Sequence, residues 1–171
     1  MNKIIITGFM GSGKSSVARA LADILGYEML DLDEAIAVAE GRSIAAIIQD
    51  EGEPRFRELE QRALAEALEG PGKQILALGG GTWIPETNRK HIREHGATSV
   101  WLDAPFNLCW KRIAVAAGRR PLAPDETSAF KLFSARSSCY ELADLRVAVT
   151  EQRSAGEIAA EIAHALTKRS N

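Results

Sequence analysis

Cysteine is scarce: the 171 residues hold two, Cys109 and Cys139. Two distant thiols make neither a metal-ligand spacing nor a disulfide framework. A disulfide-stapled fold is excluded, and both are expected as small core or half-buried residues in a reducing compartment. Long apolar runs are also missing. None approaches the ~20 residues of a membrane-spanning helix. The N-terminal apolar stretch is broken at Gly8 and by the polar run Gly11–Ser16, too soon for a secretory leader. A cytoplasmic location without a membrane partner is therefore expected. Charge of one sign is lacking too. Lys and Arg total 21 against 23 Asp and Glu, a formal net charge of −2, so no nucleic-acid footprint is expected. There is no internal repeat and no low-complexity tract. No segment suggests an exposed apolar assembly face, and a monomer is expected.

What is present is 46% hydrophobic content, enough for one domain with a proper core over residues 1–171. Its most informative segment is Gly8-Phe9-Met10-Gly11-Ser12-Gly13-Lys14-Ser15. This satisfies G-x-x-x-x-G-K-[ST], a phosphate-binding loop. The context agrees: Lys3–Thr7 reads as a buried strand, and Val17, Ala18, Leu21, Ala22 and Leu25 fall at helical spacing. Glycines let backbone N–H groups approach an anion closely, and the helix dipole points its positive end there. Lys14 supplies a point charge for β- and γ-phosphates, and Ser15 a hydroxyl ligand for Mg²⁺.

Short apolar strands alternate with amphipathic helices, the pattern of a parallel sheet covered on both faces. Further strands are expected around 28–31, 75–78, 98–102 and 146–149. Helices are expected from near Asp33, from Ser43, over 53–69 with Pro54 in the first turn, after Pro105, over about 128–143, and after a Ser154/Glu157 capping box. The stretch 117–127, with Gly118, Pro121 and Pro124, reads as irregular. The fold class is α/β, a three-layer sandwich.

Other segments carry chemistry-bearing residues. Asp31 and Asp33 close the second strand, where residues two apart point to one side and both carboxylates reach the ligand crevice. The alternative is an Asp that only caps the next helix. Gly79-Gly80-Gly81 follows a buried strand and reads as close backbone approach to a ligand or as a tight turn. Arg119 and Arg120 suit a lid that closes over a transferring phosphoryl group, or a solvated basic loop. Arg57 can be locked by Glu60 at i+3. Arg136, four residues before Tyr140, is an anion clamp or a surface charge.

As an ordered set these segments resemble the shikimate kinase family. The set is the phosphate loop, Asp31-x-Asp33, Phe56-Arg57-x-x-Glu60, Gly79-Gly80-Gly81, Arg120-Pro121-Leu122 and Arg136-x-x-x-Tyr140. The resemblance spans nearly the whole chain. It implies a P-loop NTPase fold with a five-stranded parallel sheet in the order 2-3-1-4-5. It implies transfer of the ATP γ-phosphate to the 3-hydroxyl of shikimate, in aromatic amino acid biosynthesis. It makes Asp33 the candidate base and a shikimate ligand, Arg57 and Arg136 the carboxylate ligands, and Gly79, Gly80 and Gly81 the pocket lining. Gly11, Ser12, Gly13, Lys14, Ser15 and Ser16 meet ATP, Lys14 and Arg120 stabilise charge on its phosphates, and Arg112 and Arg153 flank adenine. Ser15 and, through water, Asp31 hold Mg²⁺. Shikimate binding falls on about 33–62 and a mobile lid on about 112–127. The chain departs from the family pattern at Ala123, where a second leucine is common. It departs again at Thr82-Trp83, where Trp83 narrows the pocket or packs behind it. Competing readings are a gluconate or nucleoside monophosphate kinase and a non-catalytic nucleotide-binding module. A GTP switch lacks its Asn-Lys-x-Asp and Asp-x-x-Gly segments.

Overall fold

The computed structural model describes residues 3–115 and 123–169. Five parallel strands form one sheet in the order β2-β3-β1-β4-β5. They are β1 (Lys3–Thr7), β2 (Glu28–Asp31), β3 (Gln74–Ala77), β4 (Thr98–Asp103) and β5 (Leu145–Ala148). The central strand β1 pairs Ile5 with Leu76 on one side and Ser99 on the other, and all five of its residues are buried. Burial on both faces is why it reads as a continuous apolar run. The helices are α1 (Lys14–Leu25), α2 (Leu32–Glu40), α3 (Ile44–Glu69), α4 (Glu86–Glu94), α5 (Phe106–Val115), α6 (Glu126–Tyr140) and α7 (Ala155–Arg169). The core gathers Ile4, Ile5, Ile6, Leu76 and Val100 from the sheet with Leu21, Leu64, Trp83, Tyr140 and Ile162 around it. Cys109 is buried and Cys139 half-buried, as expected. Among the described residues, no helix is long and apolar enough to cross a membrane.

The helix ends follow their capping chemistry. Ser43 Oγ accepts from Ala46 N at 3.2 Å. Ser154 and Glu157 exchange bonds reciprocally, at 3.2 and 2.8 Å. The helices read from Ser43 and from 53 are both present: they meet at Gly52, which is non-helical with a φ of 86° that suits glycine, and share the label α3, with Pro54 in the first turn of the second, where no N–H is needed. Two expectations need correction. Helix α6 starts at Glu126, not 128, because Asp125 caps it through Ser128 N at 2.8 Å. Helix α4 was not expected at all. Its buried face is Asn88, Arg89 and Ile92, which gives no apolar stripe for periodicity to detect. The segment read as a lid, 112–127, is described only at 112–115 and 123–127, and Arg119, Arg120, Pro121 and Leu122 lie outside the described residues.

Candidate active site

The loop between β1 and α1 takes the shape its glycines permit. Gly13 caps α1 at φ 95°, and Gly11, at φ 79°, leaves no room for a side chain against the Cys109 backbone. Lys14 Nζ folds over the loop and donates to the carbonyls of Gly8 and Phe9 at 3.0 and 2.9 Å. Ser15 Oγ donates to Asp31 Oδ2. The other Asp31 oxygen caps α2, accepting from Asp33 N and Glu34 N at 3.1 and 3.3 Å. Asp31 is thus both a helix cap and a partner of the phosphate loop.

Asp33 reaches the same cavity by a different route from the one expected. The strand ends at Asp31, and Asp33 stands in the first turn of α2. The turn into the helix, not the alternation of a strand, brings the two carboxylates together. Both line a cavity of about 320 Å³ with Lys14, Ser15, Ser16 and Gly79, among others. Ser12 does not line it: the residue is buried, and its N–H is held by the Phe9 carbonyl at 3.1 Å.

Close approach explains Gly79 and Gly81. A Cβ on Gly79 would lie 2.6 Å from Asp33 Oδ1 and 2.9 Å from Glu60 Oε1. One on Gly80 would lie 3.6 Å from Arg136 Nη1, and one on Gly81 2.8 Å from Arg57 Cζ. Gly79 and Gly81 therefore lie directly against charged groups, and Gly80 is in ordinary contact with Arg136. None of the three has a positive φ, so a strained turn is not what requires them.

Arg57 is locked as expected by Glu60, and also by Glu53, whose Oε1 accepts from Nη2 at 2.7 Å and Nε at 3.1 Å. Burial pulls this guanidinium down, and the two carboxylates more than offset it, holding its pKa above the ordinary value. Glu60 has 2% side-chain exposure. Its Oε2 takes Arg57 and its Oε1 takes the Thr82 hydroxyl at 2.6 Å. Arg136 is buried, which removes the surface-charge reading. Beside it, Tyr140 Oη donates to the Gly80 carbonyl at 2.6 Å, and burial pushes this phenol up to about 12 against the opposing pull of Arg136. Trp83 packs behind the pocket, buried, with Nε1 on the Cys139 carbonyl at 2.8 Å. Thr82, Tyr140 and Glu53 were given no role from sequence. Glu53 alone carried a usable signal, its i,i+4 spacing to Arg57.

The two arginines expected at adenine hold different backbone carbonyls. Arg112 Nη1 donates to Gly11 at 3.1 Å, and Arg153 Nη1 to Ala148 at 2.7 Å. Neither lines the nearby cavity of about 480 Å³ formed by Asp103, Asn107, Lys111 and the 148–152 loop. Arg153 also pairs with Glu161.

A family model described as shikimate kinase matches residues 10–167. The shikimate kinase of Persephonella marina is 36% identical over 162 residues, covering 95% of this chain and 97% of that protein. That of Ruegeria pomeroyi is 38% identical over 169 residues, covering 97% and 85%. The structure superposes on shikimate kinase from Acinetobacter baumannii in complex with shikimate, with a TM-score of 0.91 and 31% identity over 99% of this chain and 94% of that one. A gluconokinase from Sinorhizobium meliloti shares the fold alone, at a TM-score of 0.60 and 19% identity over 99% of this chain and 98% of that one. With a phosphate loop, paired aspartates and two arginines converging on a glycine turn, and with relatives that match it almost end to end, the chain belongs to the shikimate kinase family of ATP-dependent phosphotransferases.

Proposed function

We propose the following division of labour for transfer of the ATP γ-phosphate to the 3-hydroxyl of shikimate. Asp33 accepts the hydroxyl proton. Arg57 and Arg136 hold the substrate carboxylate, for which paired guanidinium donors are the fitting partners. Gly79, Gly80 and Gly81 let the acceptor come close to these groups. Lys14 and the backbone of the Gly11–Ser16 loop hold the phosphates. Arg120, outside the described residues, adds a second cation, and Arg112 and Arg153 are assigned to the adenine side on the family pattern. Ser15 and Asp31 present adjacent hard oxygens, a pair that fits Mg²⁺ bound directly to one and through water to the other. Such an ion supplies charge neutralisation between the β- and γ-phosphates. The protein's own contribution is positioning and electrostatics, with no covalent intermediate. The reading takes residues 1–171 as one domain, with the acceptor side on 33–62 and a lid on 112–127. It takes the protein as a cytoplasmic monomer with a small-molecule partner.

The observation that carries this reading is the gathering of Asp33, Arg57 and Arg136 around Gly79, Gly80 and Gly81, with Gly79 and Gly81 too close to Asp33 and Arg57 to carry a side chain. A cation pair beside a carboxylate suits an acceptor that bears both an acid group and a hydroxyl. A coupled ADP-release assay with Mg²⁺ and ATP tests it, comparing shikimate, gluconate, nucleoside monophosphates and no acceptor. Release with shikimate alone is expected. Release with another acceptor would move the assignment of both arginines, and release with none would leave a nucleotide-binding module.

A further inference from the structure

Glu69, His91 and His95 stand outside the site described above. Glu69 ends α3; His91 lies in the last turn of α4 and His95 caps it. The chain has three histidines, and two of them meet here. One ligand-type atom from each of the three residues lies within 4.8 Å of the others, the one such group among the described residues.

The details favour a cation. His91 and His95 are four apart on one helix face, the spacing at which two imidazoles share an ion. His95 Nδ1 is 2.9 Å from the His91 carbonyl. Donation there leaves Nε2 as the unprotonated ring nitrogen, the outer-shell arrangement that orients a ligating histidine. His91 Nε2 is buried without a hydrogen-bond partner among the described residues, a costly state for a polar atom. The negative dipole ends of α3 and α4 both lie at this point, which favours positive charge.

We propose that Glu69, His91 and His95 form a binding site for a divalent transition ion of the Zn²⁺ class. Two imidazoles and one carboxylate suit Zn²⁺ better than the oxygen-seeking Mg²⁺ or Ca²⁺. Bond lengths of about 2.0–2.1 Å in a tetrahedron place ligand atoms about 3.4 Å apart. Closing from within 4.8 Å takes side-chain rotation, and Glu69 and His95 are exposed and able to rotate. Water completes the fourth position. The ion would tie the end of α3 to the end of α4. Helix α3 carries Arg57 and Glu60, and α4 holds the turn after the glycine triplet, through Asn88 Nδ2 on the Thr82 carbonyl and Arg89 on the Trp83 carbonyl, each at 2.8 Å. The site is therefore a clamp behind the acceptor pocket, distinct from the ion position at Ser15 and Asp31.

The test is a Co²⁺ titration of the chelator-treated full chain with Mg²⁺ in excess to occupy the nucleotide-side position, followed by Zn²⁺ competition. The wild type is expected to bind one Co²⁺ with a visible tetrahedral absorption band that Zn²⁺ displaces. Zn²⁺ alone should raise the melting midpoint. His95→Ala and Glu69→Gln change exposed side chains and should fold normally. Each should lose more than about tenfold in affinity, the least that removing even an outer-shell partner costs. Absence of saturable Co²⁺ binding by the wild type would overturn the proposal. Binding of equal strength in the wild type and both variants would overturn it too, by placing the ion elsewhere.

Discussion

Tyr140, at the end of α6, holds the carbonyl of Gly80 at 2.6 Å and so ties the middle of the glycine turn to that helix. The Tyr140 side chain is buried and the bond part-buried, and Arg136 stands next to both residues. Tyr140→Phe should cost about 1 kcal/mol of stability and leave the carbonyl unsatisfied. It should raise the KM for shikimate while leaving that for ATP unchanged. An unchanged shikimate KM would make the bond purely structural.

The same phenol makes stability depend on alkaline pH. Burial raises its folded pKa to about 12, above the ordinary value of 10.0. The stabilisation is therefore complete below about pH 10 and lost as pH rises through about 12. Urea unfolding at pH 8 and pH 11 should show wild type losing more stability than Tyr140→Phe. Equal losses would remove Tyr140 from the alkaline transition.

Glu60 joins α3 to the turn after the glycine triplet through two oxygens, one on Arg57 and one on Thr82. Glu60→Gln keeps a partner for Thr82 and removes a charge from Arg57. We expect a loss of roughly 2 kcal/mol in stability, the scale of a charged hydrogen bond. The KM for shikimate should rise roughly tenfold, equivalent to about 1.4 kcal/mol. Thermal unfolding and steady-state kinetics on one preparation separate the two effects.

Gly79→Ala puts a methyl group against Asp33 and Glu60 at 2.6 and 2.9 Å. Displacement of the base should lower kcat about 100-fold, with nucleotide affinity retained. Gly156 in α7 is the control, because its nearest neighbour to an added methyl is 4.0 Å away. Gly156→Ala should raise stability by roughly 0.5–1 kcal/mol and leave kcat alone. A Gly79→Ala enzyme of normal turnover would show that the pocket yields at this point.

Asp33→Asn preserves shape and removes the proton acceptor. Turnover should fall by about 10²–10⁴-fold while ATP binding, followed by fluorescence or calorimetry, stays at the wild-type level. Near-normal turnover would exclude Asp33 as the base.

Much of this architecture is legible in the sequence because its signals are local. Lys3–Thr7, the glycine loop and α1 announce one another, and Ser154 with Glu157 marks its helix at the first reading. Asp31 and Asp33 are recognisable as a pair, yet the reason for their convergence is not. A strand-to-helix transition at Leu32 is invisible to a period-two argument. Helix α4 is missed because Asn88 and Arg89 are buried to satisfy carbonyls of the preceding turn, and no hydrophobicity pattern reports a polar buried face. Thr82 and Glu60 meet across 22 positions, and such pairings exist only once the chain is folded.

The double engagement of Asp31 ties the two halves of the reaction together. One oxygen is bound to the phosphate loop through Ser15, and the other sets the start of the helix that bears Asp33. An ion that draws on Ser15 and Asp31 must rearrange the first contact, and the strain passes directly to the second. Nucleotide and acceptor are then not independent guests: each alters the affinity of the other by the same factor, in whichever order they arrive.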